Sequence, residues 1–361
     1  MKIININEPL PYSVPSVVTV GNFDGVHLGH TRLIARTAGL ARERGGVSVA
    51  VTFEPHTRAV LHPELPAALL TTFDEKASLL EKLGINYLLR VDFDDDFRRM
   101  DQEEFIKKIL AERLRASDWV MGEGQQVGKN RAGGKKNLHF AAGKYHIDIL
   151  TEPLEVSGGE AISSTRIRGL VGDGRITDAA VLLGRPYLVM AERAAGVKIA
   201  TELGFPTLNF NRAEERKVIP PAGVYAADIE IDGGCGAGGA GFGGDRGSGG
   251  VYAGCVDAGG AGGRADNNGA DGPKARRGRI AGALYFGDCP TYSGRETHFE
   301  FHALRFNDED RGREPAAGKI VRLWLHKFIR PNIAFPNESA LKGQIEKDVN
   351  EIKKYFSEET Q

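Results

Sequence analysis

The stretch that decides the fold reads Gly21-Asn22-Phe23-Asp24-Gly25-Val26-His27-Leu28-Gly29-His30, directly after Ser16-Val17-Val18-Thr19-Val20. The leading five residues are a short β-branched run, the pattern of a strand buried in a parallel sheet. Beyond the stretch, Leu33, Ile34, Leu40 and Ala41 recur at helical spacing within Leu28–Arg44, and Gly45-Gly46 supplies a stop. Strand, turn and helix start therefore follow without a gap. A doubly wound fold places a nucleotide there, beyond the carboxyl end of a strand. Free N–H groups and the helix dipole at that point favour an anion. His27 and His30 are three residues apart and can point the same way. Two imidazoles beside a phosphate chain could donate hydrogen bonds to charge developing during transfer of a nucleotidyl group. The same spacing also suits a capped helix with partly exposed histidines, or a metal pair. Gly29 lets backbone or phosphate come close.

Outward from this point the alternation continues. Val47–Phe53, Ile85–Val91 and Trp119–Met121 read as strands. Phe73–Leu83, stopped by Gly84, and Glu103–Arg113 read as helices. This predicts an α/β doubly wound domain. A helix over Ile176–Leu183 precedes a boundary near Leu183–Pro186, giving domains of 1–184 and 185–361. Past it, Leu188–Ala191, Val224–Ile231, Ala281–Phe286, Thr297–Leu304 and Ile320–Phe328 are short strand candidates between Gly/Pro/Asn turns, as in a small β-barrel. A helix over Glu338–Tyr355, capped by Asn337 or Ser339, closes the chain. Between two barrel strands, 19 of the 46 residues 233–278 are glycine. Such a stretch cannot bury enough apolar area to offset its ordering entropy, so it reads as a flexible insertion. Its basic tail, Lys274–Arg279, reads as a solvated loop with phosphate contact as the alternative.

The chain has 361 residues, enough for two cores. Lys and Arg total 47 against 48 Asp and Glu, a balance that gives no support to nucleic-acid or anionic-membrane binding. The cysteines, Cys235, Cys255 and Cys289, are odd in number and form no CxxC pair, which speaks against a disulfide framework. No signal pattern opens the sequence and no apolar run reaches the roughly 18 residues of a membrane span. The expected location is the cytoplasm. Oligomeric state is not legible.

Two further constellations carry chemistry. Ile162-Ser163-Ser164-Thr165-Arg166-Ile167-Arg168 places hydroxyls at a helix start followed by a fixed cation, groups that suit a triphosphate or, taken alone, a helix cap with a surface arginine. No GxxxxGK[ST] occurs, so any kinase here is not of the P-loop kind. In Gly204-Phe205-Pro206-Thr207-Leu208-Asn209, Thr207 and Asn209 alternate onto one side and bring together two hard oxygens suited to Mg²⁺; a turn before a strand is the alternative. Glu300 lies in an alternating strand, with Phe299 and Phe301 on one face and His298, Glu300 and His302 on the other. A carboxylate so placed could take the proton of a hydroxyl attacking a γ-phosphate, or simply face solvent.

The motifs GNFDGVHLGH, TFEPH (Thr52–His56), LTTFDEK (Leu70–Lys76), ISSTRIR and LLGRPY (Leu182–Tyr187) follow the order seen in the adenylyltransferase module of bacterial FAD synthetases. GFPTLNF, PPAGVYA (Pro220–Ala226), CPTY (Cys289–Tyr292), FEFHALRF (Phe299–Phe306), KFIRP (Lys327–Pro331) and the final helix resemble a riboflavin kinase domain. Over nearly its whole length the chain resembles the prokaryotic bifunctional riboflavin kinase/FMN adenylyltransferase (FAD synthetase) family. The resemblance implies phosphorylation of riboflavin to FMN, then adenylylation of FMN by ATP to FAD. It implies that His27, His30 and Arg166 act in catalysis on ATP, with Asn22, Gly25, Ser164, Thr165 and Gly204 binding it. It implies Mg²⁺ on Thr207 and Asn209, Glu300 as base, and Arg330 near the flavin cleft. Its partners are small molecules: riboflavin, FMN and ATP. Four features depart from the pattern: no acidic residue stands in Gly133–Lys136, the glycine-rich insertion is not typical, and two segments are replaced. Gly122–Lys129 reads GEGQQVGK where the family usually has an Asn-Phe-Arg-Phe-Gly-Lys type segment on the FMN side, and Ala200–Gly204 replaces a basic lead-in. A kinase with an altered adenylyltransferase module, and a non-catalytic flavin- or nucleotide-binding regulator, are the competing readings.

Overall fold

Every residue of the SVVTV strand is buried because strands flank it on both edges and helices cover both faces. The computed structural model describes residues 1–62, 64, 68–125, 135–194, 205–212, 216–230, 279–287, 298–304 and 315–358. The glycine-rich stretch 233–278, Gly204, Gln126–Lys129, Cys289–Tyr292 and all three cysteines lie outside them.

The first half is a parallel sheet of β1 (Lys2–Asn5), β2 (Ser16–Val20), β3 (Val47–Glu54), β4 (Tyr87–Asp92), β5 (Ala116–Gly122) and β6 (Asp148–Glu152), in the order β1-β4-β3-β2-β5-β6. The helices Leu28–Glu43 and Phe73–Lys82 pack on one face through Ile34, Leu40 and Leu80. On the other face Phe105, Ile109 and Leu138 meet Val18, Val49 and Trp119. The doubly wound expectation holds. β1 and β6 were not anticipated from the sequence: they are edge strands, mostly exposed or half-buried, and carry no apolar run. The helix expected over Glu103–Arg113 is an α-helical turn, Gln102–Phe105, continuing as a π-helix, Ile106–Arg113.

A small hairpin, β7 (Val156–Ser157) with β8 (Glu160–Ala161), leads to the helices Ser164–Gly172 and Ile176–Leu183. Gly184 then ends the second helix with φ at +70°. The second half is a closed antiparallel barrel of β9 (Tyr187–Ala194), β10 (Leu208–Arg212), β11 (Gly223–Glu230), β12 (Arg279–Gly287), β13 (His298–Ala303) and β14 (Ile320–Pro331), in the order β10-β13-β12-β11-β14-β9. Leu208, Phe210, Phe299 and Phe301 fill its interior. Ile167, Ile176 and Leu183, from the two helices before it, join the same apolar cluster. The helix Glu338–Glu358, capped by Asn337 Oδ1 on the Ala340 amide, packs outside the barrel through Ile352 and Phe356. No described helix is long and apolar enough to cross a membrane.

Candidate active sites

Strand order reverses between β2 and β5, and a cavity of about 1230 Å³ opens at their carboxyl ends. This exceeds the roughly 300–1,000 Å³ common for one small ligand. Val20 and Gly21 end one wall strand, and Gly122 and Glu123 the other. The loop between β2 and the first helix is strained. Phe23 and Val26 both hold positive φ, 48° and 40°. Such backbone costs a residue with a side chain about 1–3 kcal/mol and persists only when its surroundings hold it.

His27 and His30 line the cavity with their rings stacked, centroids 3.7 Å apart and 18° from parallel. A Cβ on Gly29 would lie 3.3 Å from the His27 ring, so the glycine makes room for that histidine. Burial pushes His27 down to about 4, and burial with the neighbouring His27 pushes His30 well below its ordinary value. Both rings are therefore neutral near pH 7. His27 precedes the helix as its N-cap but makes no side-chain cap bond, so the first-turn amides are not capped from within.

Asp24 organises the loop. Its Oδ1 accepts from the Leu70 and Thr71 amides at 2.8 and 3.0 Å, its Oδ2 pairs with Arg168 at 3.2 Å, and its carbonyl accepts from Ser164 Oγ at 2.8 Å. Asn22 bonds Thr57 through its side chain. Gly25 donates to Thr71 Oγ1 with φ at +83°, and a Cβ there would meet Leu70 at 2.9 Å. Lys76 lies under the loop and donates to the Asn22 carbonyl and Thr52 Oγ1 at 3.2 and 2.9 Å; burial lowers it to about 8.

Arg166, which the resemblance places at ATP, lies beside the cavity and not in its lining. Its guanidinium turns away, onto the Ser157 and Glu160 carbonyls of the β7–β8 hairpin, and it does not line the cavity. Arg168, two residues on, does. The reason is helical phase: Ser163 caps the helix on the Arg166 amide, and Ser164 and Arg168, four apart, share the cavity side. Thr165 is exposed and accepts a bond from Arg168 at 3.3 Å. Residue spacing does not single out Asp24, Lys76 or Arg168, although each lies inside one of the motifs above: only the fold brings Asp24 and Arg168 into the cavity wall and Lys76 under its loop.

The far end of the cavity is aromatic. Phe53, Phe93 and Phe97 line it with centroid separations of 5.6–6.0 Å. Only their spacing in space, not in sequence, makes them a surface.

In the barrel, Asn209 on β10 pairs directly with Glu300 on β13. Strand alternation sends Leu208, Phe210, Phe299 and Phe301 inward, so Thr207, Asn209 and Glu300 share the outer face. His302 Nδ1 lies 3.1 Å from the Pro206 carbonyl and its ring meets Phe205 edge-on, which holds the segment ahead of Thr207. Among the described residues no three His, Cys, Asp or Glu side chains gather as a metal site. The neutral oxygens of Thr207 and Asn209 nonetheless fit Mg²⁺, which takes most of its ligands from phosphates and water. Arg330 forms a forked pair with Asp348 of the last helix at 2.7–2.9 Å. Arg279, the end of the basic tail, pairs with Asp228 and Glu230 and stacks on Trp324.

A cavity at a switch point with an uncapped helix start, joined to a barrel with hard oxygens beside a carboxylate, fits a two-module transferase. Comparison with known proteins agrees. The FAD synthetase family matches residues 11–166 and the riboflavin kinase family residues 183–356. The bifunctional riboflavin kinase/FMN adenylyltransferase of Listeria monocytogenes is 31% identical over 64% of this chain and 75% of its own. That of Bacillus subtilis is 28% identical over 99% of both chains. The chain belongs to the bifunctional riboflavin kinase/FMN adenylyltransferase family. A solved structure titled as a macrolide-efflux protein from Streptococcus pneumoniae has the same fold, with a TM-score of 0.73 at 23% identity over 98% of this chain and 99% of that one.

Proposed function

We propose that this chain makes FMN and FAD at two separate sites. The barrel's outer face phosphorylates riboflavin, and the cavity at the switch point adenylylates FMN. The observation that carries the second assignment is the stacked, neutral His27–His30 pair at an uncapped helix start, facing Ser164 and Arg168 across the cavity.

In adenylyl transfer a phosphate oxygen of FMN attacks the α-phosphorus of ATP. The new P–O bond forms as the bond to the β-phosphate oxygen breaks, and pyrophosphate leaves with the electron pair. No protein nucleophile is required. The imidazole N–H groups, the first-turn amides and the Arg168 cation stabilise charge on the phosphates as it shifts. The Phe53–Phe93–Phe97 wall offers flat apolar contact to an isoalloxazine ring, a role that the altered Gly122–Lys129 segment leaves open. This wall favours the bifunctional reading over a kinase with an altered first module.

In the barrel, the ribityl hydroxyl attacks the γ-phosphorus of ATP, ADP leaves, and Glu300 takes the hydroxyl proton. Thr207 and Asn209 would hold Mg²⁺, which when bound neutralises phosphate charge. The location we infer is the cytoplasm.

The test is incubation of the enzyme with riboflavin, ATP and Mg²⁺ and separation of riboflavin, FMN and FAD by chromatography. Glu300→Ala should stop FMN formation but leave FAD formation from supplied FMN; His30→Ala should do the reverse. FMN without FAD from the unaltered chain would refute the two-activity reading.

A further inference from the structure

We propose that Lys217, in the connection between β10 and β11 of the barrel, is a positioning residue for adenylyl transfer, acting through the segment Leu70–Lys76 on the loop after β2. This rests on the reading that the His27–His30 cavity is the adenylyl-transfer site.

The segment is held from two sides. Toward the cavity, the Leu70 and Thr71 amides bond Asp24, Thr71 Oγ1 receives the Gly25 amide, and Lys76 bonds the Asn22 carbonyl. The strained turn around Phe23 and Val26 therefore takes its position from these residues. Toward the barrel, Leu69 exchanges backbone bonds with Arg216 and Val218, at 2.9 and 2.8 Å. Lys217 then reaches in. Its Nζ donates to the Leu70 carbonyl at 2.5 Å and pairs with Glu75 at 2.7 Å, with side-chain exposures of 2% and 0%. Glu75 also accepts the Met190 amide of β9 at 2.7 Å.

One peptide unit joins the two sides. The carbonyl of Leu70 and the amide of Thr71 belong to the same peptide group. The first accepts from Lys217 and the second donates to Asp24. A cation on the oxygen polarises that group and strengthens its N–H toward the carboxylate, an effect that is largest away from water. Asp24 in turn orients Arg168 and Ser164. A displacement of about 1 Å in such a constellation can cost on the order of 100-fold in rate. Glu75 ties the start of the same helix to the barrel, so the segment cannot shift without parting a buried ion pair.

The experiment uses the full chain and measures both reactions on each preparation. Lys217→Met is expected to lower kcat for FAD formation from FMN and ATP, or raise KM for ATP, by about tenfold or more. FMN formation from riboflavin, which counts correctly folded barrel, should stay within about twofold. Lys217→Arg, which keeps cation and donors, should recover part of the loss. Lys82→Ala removes an exposed ion pair between the same two halves, to Glu230, and should leave both reactions unchanged. A proportional fall of both activities in Lys217→Met, or no fall in either, overturns the proposal. If that variant does not fold, Lys217→Gln is judged by the same ratio. His30→Ala separates the two claims: if it spares FAD formation the site assignment fails, whereas if it abolishes FAD formation while Lys217→Met spares it, only the role of Lys217 fails.

Discussion

Arg166 and Arg168 are two residues apart on one helix, yet their removal should have very different effects. Arg166 is 31% exposed, and its carboxylate partner Glu160 is 73% exposed. A pair of that kind contributes about 0–1 kcal/mol, so Arg166→Met should change stability little. Arg168 is 14% exposed and faces Asp24, which is 3% exposed. Arg168→Met removes a cation from the His27–His30 end of the cavity, where the proposal puts the phosphates, while Asp24 keeps its two amide bonds from Leu70 and Thr71. The fold should survive. The loss of one preorganised electrostatic contact to shifting charge is worth about 100- to 1,000-fold in kcat, roughly 3–4 kcal/mol. The assay is steady-state FAD formation from FMN and ATP, with riboflavin phosphorylation on the same preparation as the measure of folded enzyme. The expected result is a loss of that size for Arg168→Met and none beyond about threefold for Arg166→Met. Equal losses, or a larger one for Arg166→Met, would refute the placement.

Three other outcomes are expected. His27 falls from 6.5 unfolded to about 4 folded, so the unfolded chain binds the extra proton between those values. Stability from this group is full above about pH 6.5 and about 3 kcal/mol is lost as pH falls to 4, with His30 adding in the same direction; urea titrations at pH 7 and pH 4.5 measure it, and equal midpoints would count against buried neutral imidazoles. Phe97→Ala should raise KM for FMN in adenylyl transfer by about tenfold and leave KM for ATP alone, if the aromatic wall holds the flavin. Arg330→Met leaves the buried Asp348 carboxylate without its cation, keeping the Gln344 amide bond, and should destabilise the barrel by about 3 kcal/mol, read as a lower Tm of the kinase activity; an unchanged Tm would mean the pair is dispensable.

Much of the fold was legible because its central strands and helices announce themselves locally. SVVTV is apolar throughout, as a strand buried on both faces must be. Ile176–Leu183 ends at Gly184, where φ is positive. β10 was legible only as an extended segment, since its Leu208–Arg212 alternation is short. β1 and β6 were invisible because edge strands can be polar. In the site, Thr72 and Glu75 form a capping box that the spacing of LTTFDEK carries openly. That Glu75 also grips the barrel is written nowhere near it.

The amino-acid sequence by itself determined the two modules, the paired histidines at a helix start and the oxygens of Thr207, Asn209 and Glu300, because strand alternation and helix caps are set by neighbours a few residues away. Tertiary structure alone decided which arginine lines the cavity, which phenylalanines form a wall, and that a lysine 147 residues from Leu70 in the chain shares a peptide group with Asp24. Those depend on helix phase and on how two halves close over buried charge, and a buried charge finds its partner by packing, not by position in the chain.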